Sequence, residues 1–159
     1  MAVNPDDFRK VMGNFATGVT IVTIQGQEGN PYGLTVNAFT SVSLNPLLVL
    51  VCLSDQLSGR DLFQKKSQFA VNILAQDQQD LSDHFARSET DRSKGPYSTG
   101  KTGVPVLEGV LARLECELVS EYPGGDHTIV LGEVKFAEVI AANRGKKPLL
   151  FLRGTYKEL

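Results

Sequence analysis

The sequence predicts a mainly β protein in which antiparallel strands form a closed or nearly closed barrel, accompanied by a few small helices. Two observations lead to this prediction. Six or more apolar, β-branched runs follow one another with turn residues between them, without the helical crossovers that a parallel sheet requires. The run LLVLVCL, residues 47–53, has no polar side chain, which is typical of a central strand buried on both faces.

Composition restricts the class of protein further. The chain has 159 residues, 42% of them apolar, and a formal net charge of −2. This length suits one domain, residues 1–159, that buries roughly 70% of the surface its unfolded chain exposes. A nucleic-acid-binding protein would be strongly basic. Since no long apolar run and no signal-peptide pattern occurs, we expect a cytoplasmic protein without membrane segments.

The first element is an amphipathic helix predicted over residues 5–14. Asn4 is suited to cap it, and Pro5 suits the first helical position. The apolar side chains that follow recur at the spacing of one helix face: Phe8, Val11, Met12 and Phe15.

The strands follow in a meander. A β-branched run at 19–24 predicts a strand, and a turn at 26–30 joins it to a second strand that begins at Tyr32. Further strands are predicted at 69–74, 104–107, 111–119, 127–140 and 149–152. Two short helices are expected between strands, the first capped by Ser58 and the second by Asp77 and Asp80.

Two other features of the chain carry expectations. Residues 87–103 contain no large aliphatic residue and no Phe, a composition that indicates a functional lid or a disordered segment. Cys52 and Cys116 both lie in apolar runs without metal-ligand spacing, so we expect two buried free thiols and no metal site.

Three groups of residues are candidates for a site. Thr35 and Asn37 are two apart, so on a strand they share one face and offer a polar ledge to a flat ligand. His127 follows the turn Gly124–Asp126, where a ligand can approach the backbone closely, although a purely structural role fits equally. Arg87, at the end of the second short helix, is either a charge that complements the helix dipole or an anion ligand.

Seven motifs occur in one order along the chain: TGVTIVT, TVNAFTSVSLNPLLVLVCL, FAVNILA, LSDHFA, LEGVLARLEC, GGDHTIVLGEV and PLLFLRGTY. This string, spread over residues 8–156, resembles the short-chain flavin reductases. These are the small reductase components of two-component flavin-dependent monooxygenases, such as the partner of 4-hydroxyphenylacetate 3-monooxygenase.

The resemblance implies a fold and an activity. The fold is an antiparallel Greek-key split β-barrel, the FMN-binding split barrel, with an N-terminal helix and two short helices, and it usually forms a homodimer. The activity is hydride transfer from NADH or NADPH to FMN or FAD, and the reduced flavin diffuses to a partner monooxygenase. The alternatives are a flavoredoxin-like electron carrier or ferric reductase that holds FMN tightly and, more remotely, a β-barrel interaction module.

The resemblance also assigns roles to residues. Those expected beside the flavin ring are Thr35, Val36, Asn37, Ala38 and Ser41. Those expected along the ribityl chain to the phosphate are Cys52, Leu53, Ser54, Ser58 and Gly59. Ala86 and Arg87 match the phosphate end, Arg92 lies in the loop that packs on flavin, and His127 matches the nicotinamide side and is the expected catalytic residue.

The sequence departs from the family pattern at several of these positions. Val36 and Ala38 stand where Ala and Ser are usual, and Leu57 and Gly59 stand where Ser and Thr are usual. Ser58, at an expected helix N-terminus that favours anions, is the physical substitute for the missing phosphate contacts. The loop motif reads Asp91-Arg92-Ser93 and lacks the usual aromatic residue.

Overall fold

A computed structural model of the chain describes residues 2–57, 59–63 and 67–159. These residues form two α-helices, α1 (Pro5–Met12) and α2 (Gln79–Ala86), and twelve strands. The first six strands are β1 (Thr17–Gly18), β2 (Thr20–Gln25), β3 (Pro31–Val36), β4 (Phe39–Leu44), β5 (Leu47–Ser54) and β6 (Gln68–Ile73). The others are β7 (Tyr97–Thr99), β8 (Pro105–Leu107), β9 (Ala112–Pro123), β10 (His127–Val139), β11 (Leu150–Leu152) and β12 (Thr155–Lys157).

Seven strands form one antiparallel sheet in the order β3-β2-β6-β9-β10-β5-β4. Two smaller units accompany it, the sheet β1-β11-β12 and the pair β7-β8. The prediction of a mainly β, antiparallel protein is therefore confirmed.

The hydrogen-bonded ladder of the large sheet does not close. Its edge strands β3 and β4 are joined only by Asn37 and Ala38, so their adjoining ends lie within about 11 Å of each other. The Cys52 N–H donates to the Ala38 carbonyl at 2.9 Å, which holds this corner against β5. The sheet thus curls until its two edges approach at one corner. No ladder joins β3 to β4 among the described strands, so the closed or nearly closed barrel expected from the sequence stays a prediction.

Strands β2 and β6 are buried on both faces, whereas β5 is not. Val22 and Ile24 belong to the core inside the large sheet, whereas Ile21 packs into a second core with Phe85 of α2. In β5 only Val49, Val51 and Leu53 are buried, and the residues between them are half-buried. The prediction for β5 was wrong because α2 and β8 cover the outer side of β2, while the outer side of β5 faces a cavity beside α1.

The predicted helices are confirmed in part. Asn4 caps α1, since its Oδ1 accepts the Asp6 N–H at 2.8 Å. Neither predicted aspartate caps α2, and its N-cap residue Gln78 makes no side-chain capping bond. Gln78 Oε1 instead accepts the Ala75 N–H at 3.0 Å across the 3₁₀ turn that precedes α2. The other short helix is a single 3₁₀ turn, Arg60–Leu62, and its expected cap Ser58 lies outside the described residues.

The segment 87–103 contains a strand and several packed side chains, so the disordered alternative of its prediction was wrong, while the lid alternative stays a prediction. The segment contains β7, which pairs with β8. Tyr97 OH donates to the Arg92 carbonyl at 2.6 Å, and the Tyr97 ring packs on Phe85. Buried Glu115 of β9 anchors the far end by accepting the Lys101 N–H, the Thr102 N–H and the Thr102 hydroxyl at 2.9, 2.6 and 2.7 Å.

Candidate active site

The outer face of β5 and β10, opposite the core, carries the residues that the site requires. His127 is paired across the strands with Ser54, and Cys52 is paired with Ile129. None of these four residues is fully buried, while the alternating positions Leu53 and Thr128 face the core. Cys52 lies two residues, or about 7 Å, along β5 from Ser54, the cross-strand partner of His127. His127 and Cys52 therefore lie on the same face of the sheet, separated by roughly the width of one flat ring system.

A cavity of about 510 Å³ lies between helix α1 and this face. Asn37, Ala38 and Cys52 line it, so three of the expected flavin-binding residues meet there. The remaining wall is mainly apolar: Phe8, Met12, Phe15, Phe39, Leu50 and Phe151. A slot of this size with apolar walls and a few polar groups is suited to a flat aromatic ligand.

Other residues expected beside the flavin ring lie elsewhere. Thr35 Oγ1 donates to the Ser82 carbonyl of α2 at 2.6 Å, and the side chains of Val36 and Leu53 are buried in the core. Ser41 is exposed on β4 and does not line the cavity. Thr35 and Asn37 do not share a ledge, because Thr35 bonds to α2 while Asn37 lies beyond the end of β3 and lines the cavity.

Residues expected near the phosphate form a second cluster around Tyr32. Gly59 has φ +91°, and any side chain at this position would collide with the Tyr32 ring. Arg92 donates from Nη1 to Tyr32 OH at 3.1 Å, from Nε to the Arg87 carbonyl at 3.2 Å and from Nη2 to the Ala86 carbonyl at 3.4 Å. The cluster therefore ties Gly59 to the end of α2.

Within this cluster the two arginines differ. Arg92 is only 3% exposed, so its guanidinium is committed to protein groups and holds the end of α2 in place. Arg87 is exposed, with a side chain available to an anion. Tyr32 lies four residues before the end of β3, so this cluster is about 13 Å along the strand from Val36, the residue before the corner at Asn37.

Asp126 orients His127 at the rim of the site. His127 Nδ1 lies 2.7 Å from Asp126 Oδ1. The hydrogen bond from His127 and its positive charge hold the pKa of Asp126 below the usual range, so the carboxylate is ionised and accepts the bond. Nδ1 therefore donates its proton in this bond, and Nε2 is the ring nitrogen left to face a ligand.

Sequence reasoning missed several residues of this region. Asp126 was treated only as a turn residue, and Tyr32 only as the start of a strand. The cavity wall contributed by α1 and by Phe151 was also missed, although the exposed apolar face of α1 was visible in the spacing of its residues. These contributions come from opposite ends of the chain, which no local pattern connects.

Together, the curled antiparallel sheet, the apolar slot and a histidine on the same sheet face as Cys52 characterise a small β protein whose cavity suits a flat aromatic ligand. The family model of the flavin reductase like domain matches residues 12–159, and the chain belongs to that family. The resemblance seen in the motif string is thereby confirmed.

Individual relatives agree over nearly the whole chain. An FMN reductase (NADH), SmoA, of Agrobacterium fabrum is 41% identical over 96% of this chain and 85% of its own length. The reductase subunit HsaB of a flavin-dependent monooxygenase from Mycobacterium tuberculosis is 35% identical over 97% of this chain and 82% of its own. The Streptomyces globisporus NADH:FAD oxidoreductase SgcE6, solved in complex with NAD and FAD fragments, superposes with a TM-score of 0.86 at 37% identity, covering 100% of this chain and 96% of that one.

Among the described residues there is neither a metal-binding cluster nor a membrane-spanning helix. No group of three or more His, Cys, Asp and Glu side chains in this part of the chain is placed to hold a metal ion. Across the same ranges, neither helix has the length and apolar character needed to cross a membrane.

Proposed function

We propose that this protein catalyses the reduction of FMN or FAD by NADH, in keeping with its flavin reductase relatives. The observation that carries the proposal is a shared sheet face: Asn37, Ala38 and Cys52 line an apolar slot, and His127 lies on the same face of the sheet as Cys52, on the neighbouring strand. When bound, the flavin accepts a hydride from the nicotinamide, so the two cofactors supply the redox chemistry themselves.

The residues of the chain bind and orient the two rings. The apolar wall from α1 and Leu50 removes water from one side of the slot, and the strand edge at Asn37–Ala38 borders the ring. Arg87 and Gly59 are proposed for the phosphate end, where Arg92 holds the local backbone. Holding two reactants in van der Waals contact supplies a large part of the rate enhancement without an acid or base.

His127 is proposed to position the nicotinamide. Its Nε2 is an acceptor in the neutral ring and suits an amide N–H, such as that of the nicotinamide carboxamide. Ser54 and Thr35 to Val36 are proposed to contribute through backbone groups, and Ser41 through its hydroxyl. Ser58 stays a proposal for the phosphate because it lies outside the described residues.

The fold is proposed to be the Greek-key split barrel of the family, formed by residues 1–159 as one domain. Support comes from the two sheet edges that approach each other at Asn37–Ala38. We also propose a homodimer, because apolar side chains of α1 and the β4–β5 hairpin are widely exposed, with Phe15 at 70% and Leu44 at 88%. Sedimentation at micromolar concentration should give twice the 17.3 kDa chain mass, and a species of 17.3 kDa alone would contradict this proposal.

A steady-state assay with all four pairs of NADH or NADPH and FMN or FAD tests the activity. We expect NADH oxidation that depends on added flavin, from protein that is nearly colourless when purified. Bright yellow protein that reduces no added flavin would instead favour the FMN-holding electron carrier. A reconstituted oxygenase reaction across a dialysis membrane would test supply of reduced flavin to a monooxygenase, as the HsaB relative suggests.

We propose a cytoplasmic location. Its support is that Cys52 and Cys116 are free thiols, as is usual in reducing compartments.

A further inference from the structure

A basic cleft adjoins the apolar cavity on the side away from Tyr32 and Arg87. This cleft, about 560 Å³ in volume, lies between α1 and the β11–β12 turn and is lined by Arg9, Lys10, Gly13, Asn14, Arg153 and Gly154. Arg9 and Arg153 line both spaces, so the cleft opens directly from the cavity proposed for the rings.

The charge of the cleft contrasts with that of the whole chain. Three cations line it, and among the described residues no acidic side chain lines either the cleft or the cavity, although the formal net charge of the chain is −2. Arg9 and Lys10 form ion pairs within α1, but both pairs are exposed and weak, so these side chains are available to a ligand. The local excess of positive charge points to an anionic ligand.

Arg153 is fixed in a way that suits anion binding. Its Nε donates to Asn14 Oδ1 at 2.8 Å, and its backbone N–H donates to the Gly13 carbonyl at 2.8 Å. Asn14 is itself held, because its Nδ2 donates to the Lys10 carbonyl at 2.7 Å. Among the described residues the two terminal Nη groups have no hydrogen-bond or ion-pair partner, and a guanidinium held in this way suits bidentate binding of a phosphate.

The backbone at Arg153 adds an independent observation. Arg153 and Gly154 are the two central residues of the β11–β12 turn, with φ of +51° and +76°. Such turns favour Asn or Gly at the first of these positions, and a side chain like that of Arg is uncommon there. A residue held in an unfavourable conformation beside a cavity is a frequent property of ligand sites.

We propose that this basic cleft binds the pyrophosphate group of a dinucleotide cofactor whose ring occupies the apolar cavity. The inference rests on the proposed function. A ligand that combines a flat ring with a group of two negative charges fits an apolar slot that opens into a cationic cleft. NADH and FAD both have this chemistry, and NADH is favoured because the flavin phosphate is proposed for the opposite end, near Arg87.

The test compares Arg153→Gln with Arg144→Gln, which removes an equal charge from an exposed position outside both spaces. The Michaelis constant for NADH should rise roughly tenfold in Arg153→Gln, as expected for a lost charge-assisted contact. The constant for dihydronicotinamide riboside, which has no phosphate, should stay at the wild-type value. If FAD is the ligand, the dissociation constant for FAD should rise instead, with FMN and riboflavin unaffected.

Several outcomes would overturn the inference. The first is an equal rise in the Michaelis constants for NADH and for the phosphate-free donor. The second is an equal rise in the dissociation constants for FMN and FAD. The third is no difference between Arg153→Gln and Arg144→Gln. If Arg153→Gln melts far below the wild type, Arg9→Gln is tested in its place. The Michaelis or dissociation constant must then again rise for the dinucleotide alone. An active wild-type enzyme with unchanged variants refutes only this cleft, whereas wild-type protein without flavin reduction refutes the proposed function.

Discussion

Replacement of His127 by alanine tests the proposed hydride transfer most directly. The side chain is half-buried at the start of β10, and its Nδ1 is occupied by Asp126 at 2.7 Å, so only Nε2 is available to a substrate. One hydrogen bond that positions a ring at a partly solvated rim contributes about 1.4–2.7 kcal/mol, or 10- to 100-fold in rate or apparent affinity. We expect a loss of this size in the second-order rate constant for NADH.

A positioning role and a structural role for His127 affect different measured quantities. Stopped-flow mixing of flavin-loaded enzyme with NADH should show slower reduction, while flavin affinity measured by fluorescence stays near the wild-type value. Flavin affinity should persist because the residues proposed to hold the flavin, such as Ala38 between β3 and β4 and Cys52 on β5, lie outside β10. A merely structural role would lower the melting temperature and reduce flavin and NADH parameters together.

Two further variants help to interpret the result for His127→Ala. Asp126→Asn removes the carboxylate that orients the ring and should cost at most a few-fold, because Asp126 is exposed. His84→Ala is the matched control: His84 lies on α2 and contacts the Lys94 carbonyl at 3.0 Å, away from the cavity lining. Normal reduction kinetics in a stable His127→Ala protein would refute the assignment of His127.

Three other predictions follow from the structure. Arg87→Ala should weaken FMN and FAD binding roughly 10- to 150-fold, as for loss of a charge-assisted bond, and leave riboflavin unaffected; equal losses in titrations of all three would show a structural role. Iodoacetamide should label Cys52, as detected by mass spectrometry, and excess FMN should protect it, since Cys52 lines the cavity. Cys116 should stay unlabelled, because burial and the nearby Glu115 charge raise its pKa to about 12. Labelling of Cys52 that FMN does not change would place the flavin elsewhere. Glu115→Gln should destabilise the fold by about 2–3 kcal/mol near pH 7, or roughly 5–10 °C in melting temperature, since three hydrogen bonds to a buried carboxylate are weakened. Burial alone would raise the pKa of Glu115, but hydrogen bonds from Thr102 and Lys101 outweigh it and lower the pKa below 4.5. The difference in stability between the wild type and Glu115→Gln should therefore be full above pH 4.5 and shrink as the pH falls through the folded-state pKa. A stability difference independent of pH would contradict this account.

Local sequence determined the elements whose causes lie within a few residues. Asn4 caps α1 as predicted, because the capping bond joins residues two positions apart. His127 begins a long strand immediately after the Gly-Gly-Asp turn, as expected from the turn residues. The motif string also identified the family, and the family model and relatives agree over most of the chain.

Tertiary structure alone decided which faces are covered and which distant groups meet. The apolar run of β5 gave no sign that Leu50 and Cys52 would face a cavity, because burial depends on what packs above a strand and not on the strand itself. Arg92 is a charged residue in a polar loop segment, which is typical of the surface. It is nevertheless buried, because Tyr32 and the carbonyls at the end of α2 accept hydrogen bonds from its guanidinium.

The basic cleft shows the same limit most clearly. Arg153 and Asn14 are 139 residues apart, and their 2.8 Å hydrogen bond exists only because β11 pairs with β1 directly after α1. Sequence patterns report preferences over one turn of helix or a few residues of strand. A site built from both ends of a chain depends on strand pairing, and only the folded sheet specifies that pairing.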